Sequence, residues 1–429
     1  MGRKLIWVGA ELLLAVAILA SSGCGRRLDP VAVVVAGDSG EVKLFTHDYG
    51  PAGSALLPAS GDGLTLTESP LRTSKTYVPP GYRDKGQGQP YPVLFLLLDF
   101  GGNGLPSAVV DDDYYFEIGL KEIADSMINA GVIRPMIIAT IDLYNAYGGS
   151  WYTSNSIQGF YEAAFVDFVQ YTDTALNAAS SQLGRASRAI GGVGMGGYGA
   201  LMLAMQRPDL FASASSINGH LAFAQTSGKY NFRGITDWAP KVFEENFVTP
   251  LPPGYTITNA VAVLPFFKMT PDIKLPLRKP YTNLVFSMAA AFSPFNPATA
   301  TYSDSLSWMN PAMAGGAAQD WKVSLPFIWT GDIWPDVYGK WLMFDATQFM
   351  LDFPTQLSNV QVHIEAGTSS EFNILEQNRI FHDAAIARGI STLSYHEFDG
   401  YDGYPTTRRR LLSERIREIL KFHSDNLGA

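Results

Sequence analysis

The sequence predicts an α/β protein built on a mostly parallel central sheet with helices on both faces. Two short, continuously apolar runs, Tyr91–Leu98 and Met136–Ile141, are typical of strands that are buried on both sides. Segments with helical periodicity, Phe116–Ala130 and Glu162–Leu176, alternate with such runs, as the crossovers of a parallel sheet require. A glycine cluster at 191–199 joins a further apolar run to a helical segment. Ligands of such sheets bind beyond the carboxyl ends of the strands.

Residues 1–24 have the features of an export signal. Arg3 and Lys4 precede an apolar run from Leu12 to Ala20, which is shorter than the roughly 20 residues that span a membrane. The segment ends in Ser21–Cys24, which resembles a bacterial lipobox and contains the single cysteine of the chain. We expect an exported lipoprotein of the cell envelope, anchored to a membrane through lipidated Cys24. The alternative is an ordinary cleaved signal with an incidental cysteine.

The composition limits the possible partners. The chain has 429 residues and a net charge of −9, and no stripe of Lys and Arg that would follow a phosphate backbone, so we expect no nucleic acid. One cysteine and six histidines leave neither a disulfide nor a cysteine-based zinc framework. We expect no metal and no cofactor.

The exported part divides into a tether with N-terminal strands at 25–70 and a single domain at 71–429. The N-terminal strands are predicted at Val31–Ala36 and Val42–Thr46. Within Ser74–Tyr82, polar and apolar residues alternate until two prolines interrupt the pattern, as in an edge strand. From about 224 to 320 the periodicity fades, which indicates a cap-like insertion over the sheet. The rest is predicted as strands at Val360–Thr368 and Ser394–Phe398 and helices at Gln377–Gly389 and Arg408–His423.

The glycine cluster has the form of a sharp turn between a strand and a helix. Residues 192–196 read G-V-G-M-G, and the corresponding turn of α/β-hydrolases is the nucleophile elbow, G-x-S-x-G. Gly194 stands at the serine position. Residues 192–197 also fit the dinucleotide fingerprint G-x-G-x-x-G, but the carboxylate expected about 20 residues later is missing from Ser215–His220. The elbow is therefore the stronger interpretation.

Several segments resemble the esterase D-like family, relatives of S-formylglutathione hydrolases and mycolyltransferase antigens. The resemblance covers about Ser74 to Phe422, and the segments that carry it are Pro79–Tyr82, Pro92–Asn103, Gly149–Ser156, 190–201, 207–212, 216–219, Phe286–Pro294 and Trp334–Leu342. The resemblance implies an α/β-hydrolase fold and acyl chemistry by a serine, an acid and a histidine in that chain order.

The residues at the three positions of the triad differ from that pattern. Gly194 replaces the serine and has no side chain that could attack, Glu371 stands near the position of the acid, and Tyr401 replaces the histidine. An unperturbed tyrosine has a pKa near 10 and is a poor general base at neutral pH. Five of the six histidines, His220, His363, His382, His396 and His423, are expected at the surface or in satisfied core positions, with only His220 of these five near the pocket rim.

The resemblance also assigns the oxyanion hole and the pocket. The backbone N–H groups of Phe100 and Met195 stand at the positions of the hole, and Trp151 and Tyr152 lie beside the site. Leu98 and Asp99 occupy the usual His-Gly step, where the charge of Asp99 would oppose a developing oxyanion. Alternatively, Asp99 caps the following loop or faces water.

The leading hypothesis is a catalytically degenerate esterase, a pseudoenzyme that binds an ester-like or sugar-like small molecule, or a partner, in the former cleft. The alternative is an active carboxylic-ester hydrolase or acyltransferase with a non-standard site. A purely structural role in the cell envelope is the third possibility. Fold alone does not decide between them.

Overall fold

The computed structural model describes residues 38–50, 53–54, 56–57, 70–100, 114–145, 147–155, 158–246, 279–294, 323–327, 332–402 and 408–428. They belong to one compact unit, Ala36–Ala429. The predicted export signal, Cys24, the strand Val31–Ala36, and much of the predicted cap-like insertion at 224–320 lie outside the described residues. Within the described ranges, no helix is both long and apolar enough to cross a membrane.

The described part of the chain forms an eight-stranded mixed sheet in the order β1-β2-β4-β3-β7-β8-β9-β10 and a short hairpin, β5-β6. The six strands from β4 to β10 in that order are parallel, while β2 is antiparallel to both of its neighbours. The fold class predicted from the sequence is confirmed. The strands are β1 (Glu41–Asp48), β2 (Leu71–Val78), β3 (Val93–Leu97), β4 (Ile137–Ile141), β5 (Ser154–Asn155), β6 (Gly159–Phe160), β7 (Arg188–Val193), β8 (Ser213–Ile217), β9 (Gln361–Ser370) and β10 (Leu393–Asp402).

The helices follow the strands in alternation through the parallel part of the sheet. They are α1 (Tyr114–Glu117), α2 (Leu120–Asn129), α3 (Tyr161–Ala175), α4 (Ser180–Leu183), α5 (Met195–Gln206), α6 (Ala239–Asn246), α7 (Pro280–Phe292), α8 (Pro335–Leu342), α9 (Ala346–Asp352), α10 (Ile374–Ala387) and α11 (Arg408–Asn426).

Two predicted elements differ from the structure. Strand β2 is not at the edge of the sheet, because β1 pairs with its outer side; the prolines that suggested an edge come after its last residue, Val78. The single helix predicted at Phe116–Ala130 is interrupted at Gly119, which has a φ of 85° in the left-handed region. Glycine adopts that conformation without the steric penalty of a side chain, so the chain turns there and α2 starts anew.

The core has two parts, one on each face of the sheet, as the alternation of side chains in β3 shows. Val93, Phe95 and Leu97 point into the larger cluster, which also contains α3, α5 and α7, while Leu94 and Leu96 point into the cluster formed with α2 and α11. All five residues of β3 are buried. Burying each such side chain contributes about 1.5–3 kcal/mol, so the sheet that carries the site has strong support on both faces.

Candidate active site

The turn between β7 and α5 has the geometry of a nucleophile elbow. Gly194 has a φ of 56° and a ψ of −117°, and α5 begins at the next residue, Met195. The approach of helix to strand is close, since a Cβ on Gly196 would lie 2.1 Å from the carbonyl oxygen of Leu97. Glycine at 194 adopts this backbone conformation without strain, and glycine at 196 is required by the close packing of α5 on the end of β3.

The carboxyl group of Asp99 joins the two backbone N–H groups that the sequence assigns to an oxyanion hole. Its Oδ1 accepts hydrogen bonds from the N–H of Phe100 at 2.6 Å and from the N–H of Met195 at 2.7 Å. The carboxyl group of Asp99 therefore binds the two N–H groups of the predicted oxyanion hole and does not face water. Its exposed fraction is only 4%.

Asp99 also fills the space in which the side chain of a nucleophile would begin. A Cβ built on Gly194 would lie 2.0 Å from Oδ1, 2.4 Å from Cγ and 2.6 Å from Oδ2 of Asp99. Such contacts are far shorter than van der Waals separations, so a side chain at 194 and the observed Asp99 conformation exclude each other.

The electrostatics of the turn suit a carboxylate. Met195 N–H is the first N–H of α5, a helix of 12 residues, and the amino end of a helix carries partial positive charge. Hydrogen bonds from backbone N–H groups to a carboxylate are charge-assisted and short, which agrees with the distances to Oδ1. The site provides an anion of its own at the point where an ester substrate would develop negative charge.

Trp151 and Tyr152, predicted as pocket residues, are packed into the core beside the elbow. Both have a φ of 53°, which is unusual for residues with large side chains. Trp151 is fully buried, its backbone N–H points to Sδ of Met195 at 3.3 Å, and its indole Nε1 donates to Oγ of Ser287 in α7 at 2.9 Å. The hydroxyl of Tyr152 donates to the carbonyl oxygen of Leu98 at 2.9 Å.

Glu371 and Tyr401 lie at the carboxyl edge of the sheet, the edge at which Gly194 also lies. Glu371 directly follows β9, and Tyr401 is in β10, where its backbone pairs with Ser369 after an irregularity that begins at Phe398. The last strand was predicted to end at Phe398. The irregularity lets the strand continue to Asp402, so Tyr401 belongs to a strand and not to a loop.

The histidines have distinct environments. His220 is buried against Trp151, with ring centroids 5.3 Å apart, and burial lowers its pKa to about 3. His423 in α11 lies between Oγ of Ser213 and Oγ of Ser215, each 2.8 Å from a ring nitrogen, and burial likewise lowers its pKa to about 3. His363 contacts Glu365 at 2.8 Å.

The described residues contain no cluster of three or more His, Cys, Asp or Glu side chains arranged for a metal ion. Ser287, which accepts a hydrogen bond from the indole of Trp151, is not among the residues predicted from the sequence. Its only sequence signal is its position in the apolar segment 286–294, and apolarity does not reveal a single polar contact across the fold. Trp238 and Phe372, which surround His220, were missed for the same reason.

Fold and elbow together define a protein of the α/β-hydrolase fold. Residues 71–247 match the family described as "Putative esterase". The resemblance to the esterase D-like family is confirmed by this match. No curated protein matches the chain by sequence.

Several solved structures are similar to this chain over most of its length. A ferulic acid esterase is 13% identical, with a TM-score of 0.50, covering 91% of this chain and 100% of its own. The S-formylglutathione hydrolase of Agrobacterium tumefaciens is 14% identical, with a TM-score of 0.44 and coverage of 92% and 98%. MPT51 of Mycobacterium tuberculosis is 14% identical, with a TM-score of 0.40 and coverage of 85% and 96%. At such identities the likeness concerns the fold.

Proposed function

We propose that this protein is an exported, esterase-fold pseudoenzyme whose ester-cleaving site is silent and whose former cleft binds a small uncharged ligand or a partner. The observation that carries this proposal is the position of the Asp99 carboxyl group. It fills both the oxyanion hole and the space of the nucleophile's side chain.

The energetic argument concerns the transition state of ester cleavage. Removing one donor from an oxyanion hole costs a serine hydrolase about 10²–10³ in kcat, and here both donors are engaged by Asp99. A substrate oxygen would have to displace two charge-assisted hydrogen bonds and then develop negative charge beside a carboxylate. Gly194 also has no side chain that could act as the nucleophile.

The test for silence uses two reagents on the full chain. p-Nitrophenyl acetate should show no turnover above the buffer rate, and a fluorophosphonate probe should not label the protein, while a serine esterase in the same assay reacts with both. Turnover or stoichiometric labelling of the wild-type protein would overturn the proposal.

Binding is tested by isothermal titration with short acyl esters and simple sugars, comparing wild type with Trp151→Phe. Phenylalanine keeps an aromatic ring against Phe100 and removes the Nε1 bond to Ser287. We expect weaker binding in the variant, and identical affinities would count against this cleft. Trp151→Ala is less useful, because emptying a fully buried tryptophan site costs about 3–5 kcal/mol of stability.

Export and anchoring are proposed from the sequence of residues 1–24. In a bacterial host, wild type should take up labelled palmitate and sediment with membranes, and Cys24→Ala should do neither. A Cys24→Ala variant that still takes up the label would remove the lipid anchor from the proposal.

One observation favours the alternative of an active hydrolase, namely that the carboxyl group of Asp99 stands where the nucleophile would. Attack by a carboxylate oxygen on an acyl carbon would form a mixed anhydride and release an alkoxide that takes a proton from water. Hydrolysis of the anhydride would then regenerate Asp99 and release the acid. Turnover in H₂¹⁸O that labels the Asp99 carboxyl, and is lost in Asp99→Asn, would establish this route.

A further inference from the structure

A cage of three aromatic side chains surrounds His220, which follows β8. Its ring centroid lies 5.3 Å from that of Trp151, 6.2 Å from that of Trp238 and 6.0 Å from that of Phe372. The two indoles meet the imidazole edge-on, at interplanar angles of 70° and 89°. Trp151 is shared with the elbow, because its backbone N–H points to Met195. The cage therefore adjoins the former active site.

Two polar atoms inside this cage have no hydrogen-bond partner within the described part of the chain. They are Nδ1 of His220 and Nε1 of Trp238. His220 is 5% exposed and Trp238 is 0% exposed, so neither nitrogen is compensated by bulk water. A buried donor or acceptor left without a partner costs about 1–3 kcal/mol, and native proteins rarely leave such groups unmet.

Two other fully buried tryptophans show which groups accept a hydrogen bond from a buried indole N–H in this protein. Nε1 of Trp151 donates to the hydroxyl of Ser287 at 2.9 Å, and Nε1 of Trp341 donates to the hydroxyl of Ser293 at 2.8 Å. Trp238 has an indole in the same environment without such a hydroxyl among the described residues. The missing partner of Trp238 is thus expected to be a hydroxyl oxygen that another molecule brings.

The protonation state of the His220 imidazole further limits which chemical groups could bind in the cage. Burial lowers the pKa of His220 to about 3, so the ring is neutral at physiological pH and offers one N–H and one lone pair. The neutral imidazole supplies no charge that could pair with an anionic ligand, and an unpaired ion costs far more to bury than a hydroxyl group. A hydroxyl group meets both nitrogens, since its oxygen accepts from Trp238 and its hydrogen is donated to His220 Nδ1 in the tautomer protonated on Nε2.

We propose that the cage of Trp151, Trp238 and Phe372 binds the hydroxyl group of a small uncharged alcohol or sugar, whose oxygen bridges Nε1 of Trp238 and Nδ1 of His220. This inference rests on the proposed binding function and gives it a ligand class. The elbow, filled by Asp99, is not the contact point. The ligand is held beside Trp151, whose ring contacts both His220 and Phe100, the residue that follows Asp99.

The test uses cyclohexanol and methyl α-glucoside as probes, with methoxycyclohexane as a probe that has the ring but no hydroxyl hydrogen. Binding is followed by isothermal titration and by the indole ¹H resonance of Trp238, assigned through its absence in Trp238→Phe. Wild type should bind at least one hydroxyl probe with a shift of that resonance. Methoxycyclohexane should bind about tenfold more weakly, the value of one lost hydrogen bond.

Three variants separate binding from folding. His220→Phe and Trp238→Phe should each weaken binding about tenfold, and the double variant little more, because both nitrogens serve one oxygen. Trp238→Phe removes part of a fully buried side chain and should lower stability about as much as Trp341→Phe does, so probe affinities are compared under conditions in which every variant is folded. Trp341→Phe is the control: it loses the bond to Ser293 and some stability, and keeps probe affinity.

The outcomes are distinguishable from those of the proposed function. Equal probe binding by wild type and both cage variants would overturn the hydroxyl site while leaving a ligand-binding protein. Wild type that binds none of the probes, or a crystal structure with cyclohexanol that shows only a water between the two nitrogens, would also overturn it. Catalytic silence is measured separately, by the ester and fluorophosphonate assays.

Discussion

At the scale of single residues, Asp99 and Gly194 form a mutually dependent pair. Asp99 can adopt its conformation only because residue 194 has no side chain, and its carboxyl then meets two amides that a serine hydrolase keeps for substrate. The change at one position explains the residue at the other. The two departures from the family pattern are therefore one structural change, and reverting either alone is unfavourable.

Removing the carboxyl group of Asp99 should destabilise the protein, because two buried backbone N–H groups then lack an acceptor. We expect Asp99→Ala to lower the free energy of unfolding by about 2–4 kcal/mol, because Phe100 and Met195 lose their acceptor. Asp99→Asn keeps an acceptor oxygen and loses only the charge at the start of α5, so it should cost about 1 kcal/mol. Urea denaturation measures both, and an Ala variant as stable as wild type would show that water replaces the carboxyl without penalty.

The coupling between the two positions is testable by a double-mutant cycle. Gly194→Ser should destabilise by at least about 2 kcal/mol, since its Cβ meets the Asp99 carboxyl at 2.0 Å and its φ is positive. In an Asp99→Gly background the clash is gone, and we expect a coupling energy above about 1 kcal/mol in the same denaturation assay. Additive effects would argue that the pair is not interdependent.

At the scale of elements, the close contact between α5 and β3 determines where the site lies. Gly196 lets the first turn of α5 approach the carbonyl of Leu97, and Gly199 makes room for the ring of Tyr152, whose hydroxyl bonds to Leu98. The helix thereby brings its amino end to the end of β3. Without that approach, the N–H of Met195 would not reach the Asp99 carboxyl.

Two helical glycines give a matched test of this contact. Gly196→Ala should destabilise the protein by about 2 kcal/mol or more, because its Cβ would meet backbone atoms of Leu97 at 2.1 and 2.6 Å. Gly339→Ala in α8 has nothing within 4 Å of the added methyl and should stabilise by about 0.5–1 kcal/mol. Thermal unfolding of the two variants should shift in opposite directions; a neutral Gly196→Ala would mean that the helix can retreat without loss.

At the scale of the whole molecule, the buried titratable groups predict how stability depends on pH. Burial lowers the pKa of His220 and His423 to about 3 and raises the pKa of Asp345 to about 6. Between pH 6 and 4 the unfolded chain binds two more protons than the folded one at the histidines, and one fewer at Asp345. The net difference of one proton makes stability fall as the pH is lowered.

We therefore expect the free energy of unfolding to decrease by about 1.4 kcal/mol per pH unit from pH 6 to pH 4 through these three groups. Urea denaturation at half-unit steps measures the slope. His220→Phe removes one of the two histidines and should make the slope shallower. A wild-type stability that is flat or that rises toward pH 4 contradicts this assignment.

The sequence by itself determined the fold class, the parallel order of strand and helix, and the identity of the elbow. These follow from local patterns: apolar runs such as β3, glycines at fixed spacing, and the absence of a side chain at residue 194. Such patterns carry their information within a few neighbouring residues. The boundaries of β10 and the break at Gly119 were missed because one bulge and one left-handed residue leave the surrounding pattern unchanged.

Only the tertiary structure decided what Asp99 does and where the unmatched polar atoms of the cage lie. Asp99 and Met195 are 96 positions apart, and the chain brings them together through the parallel pairing of β3 with β7. The same holds for His220, Trp151 and Trp238, which three separate segments bring to one place. Whether a buried polar atom has a partner depends on every element packed around it, so this property exists only once the chain has folded.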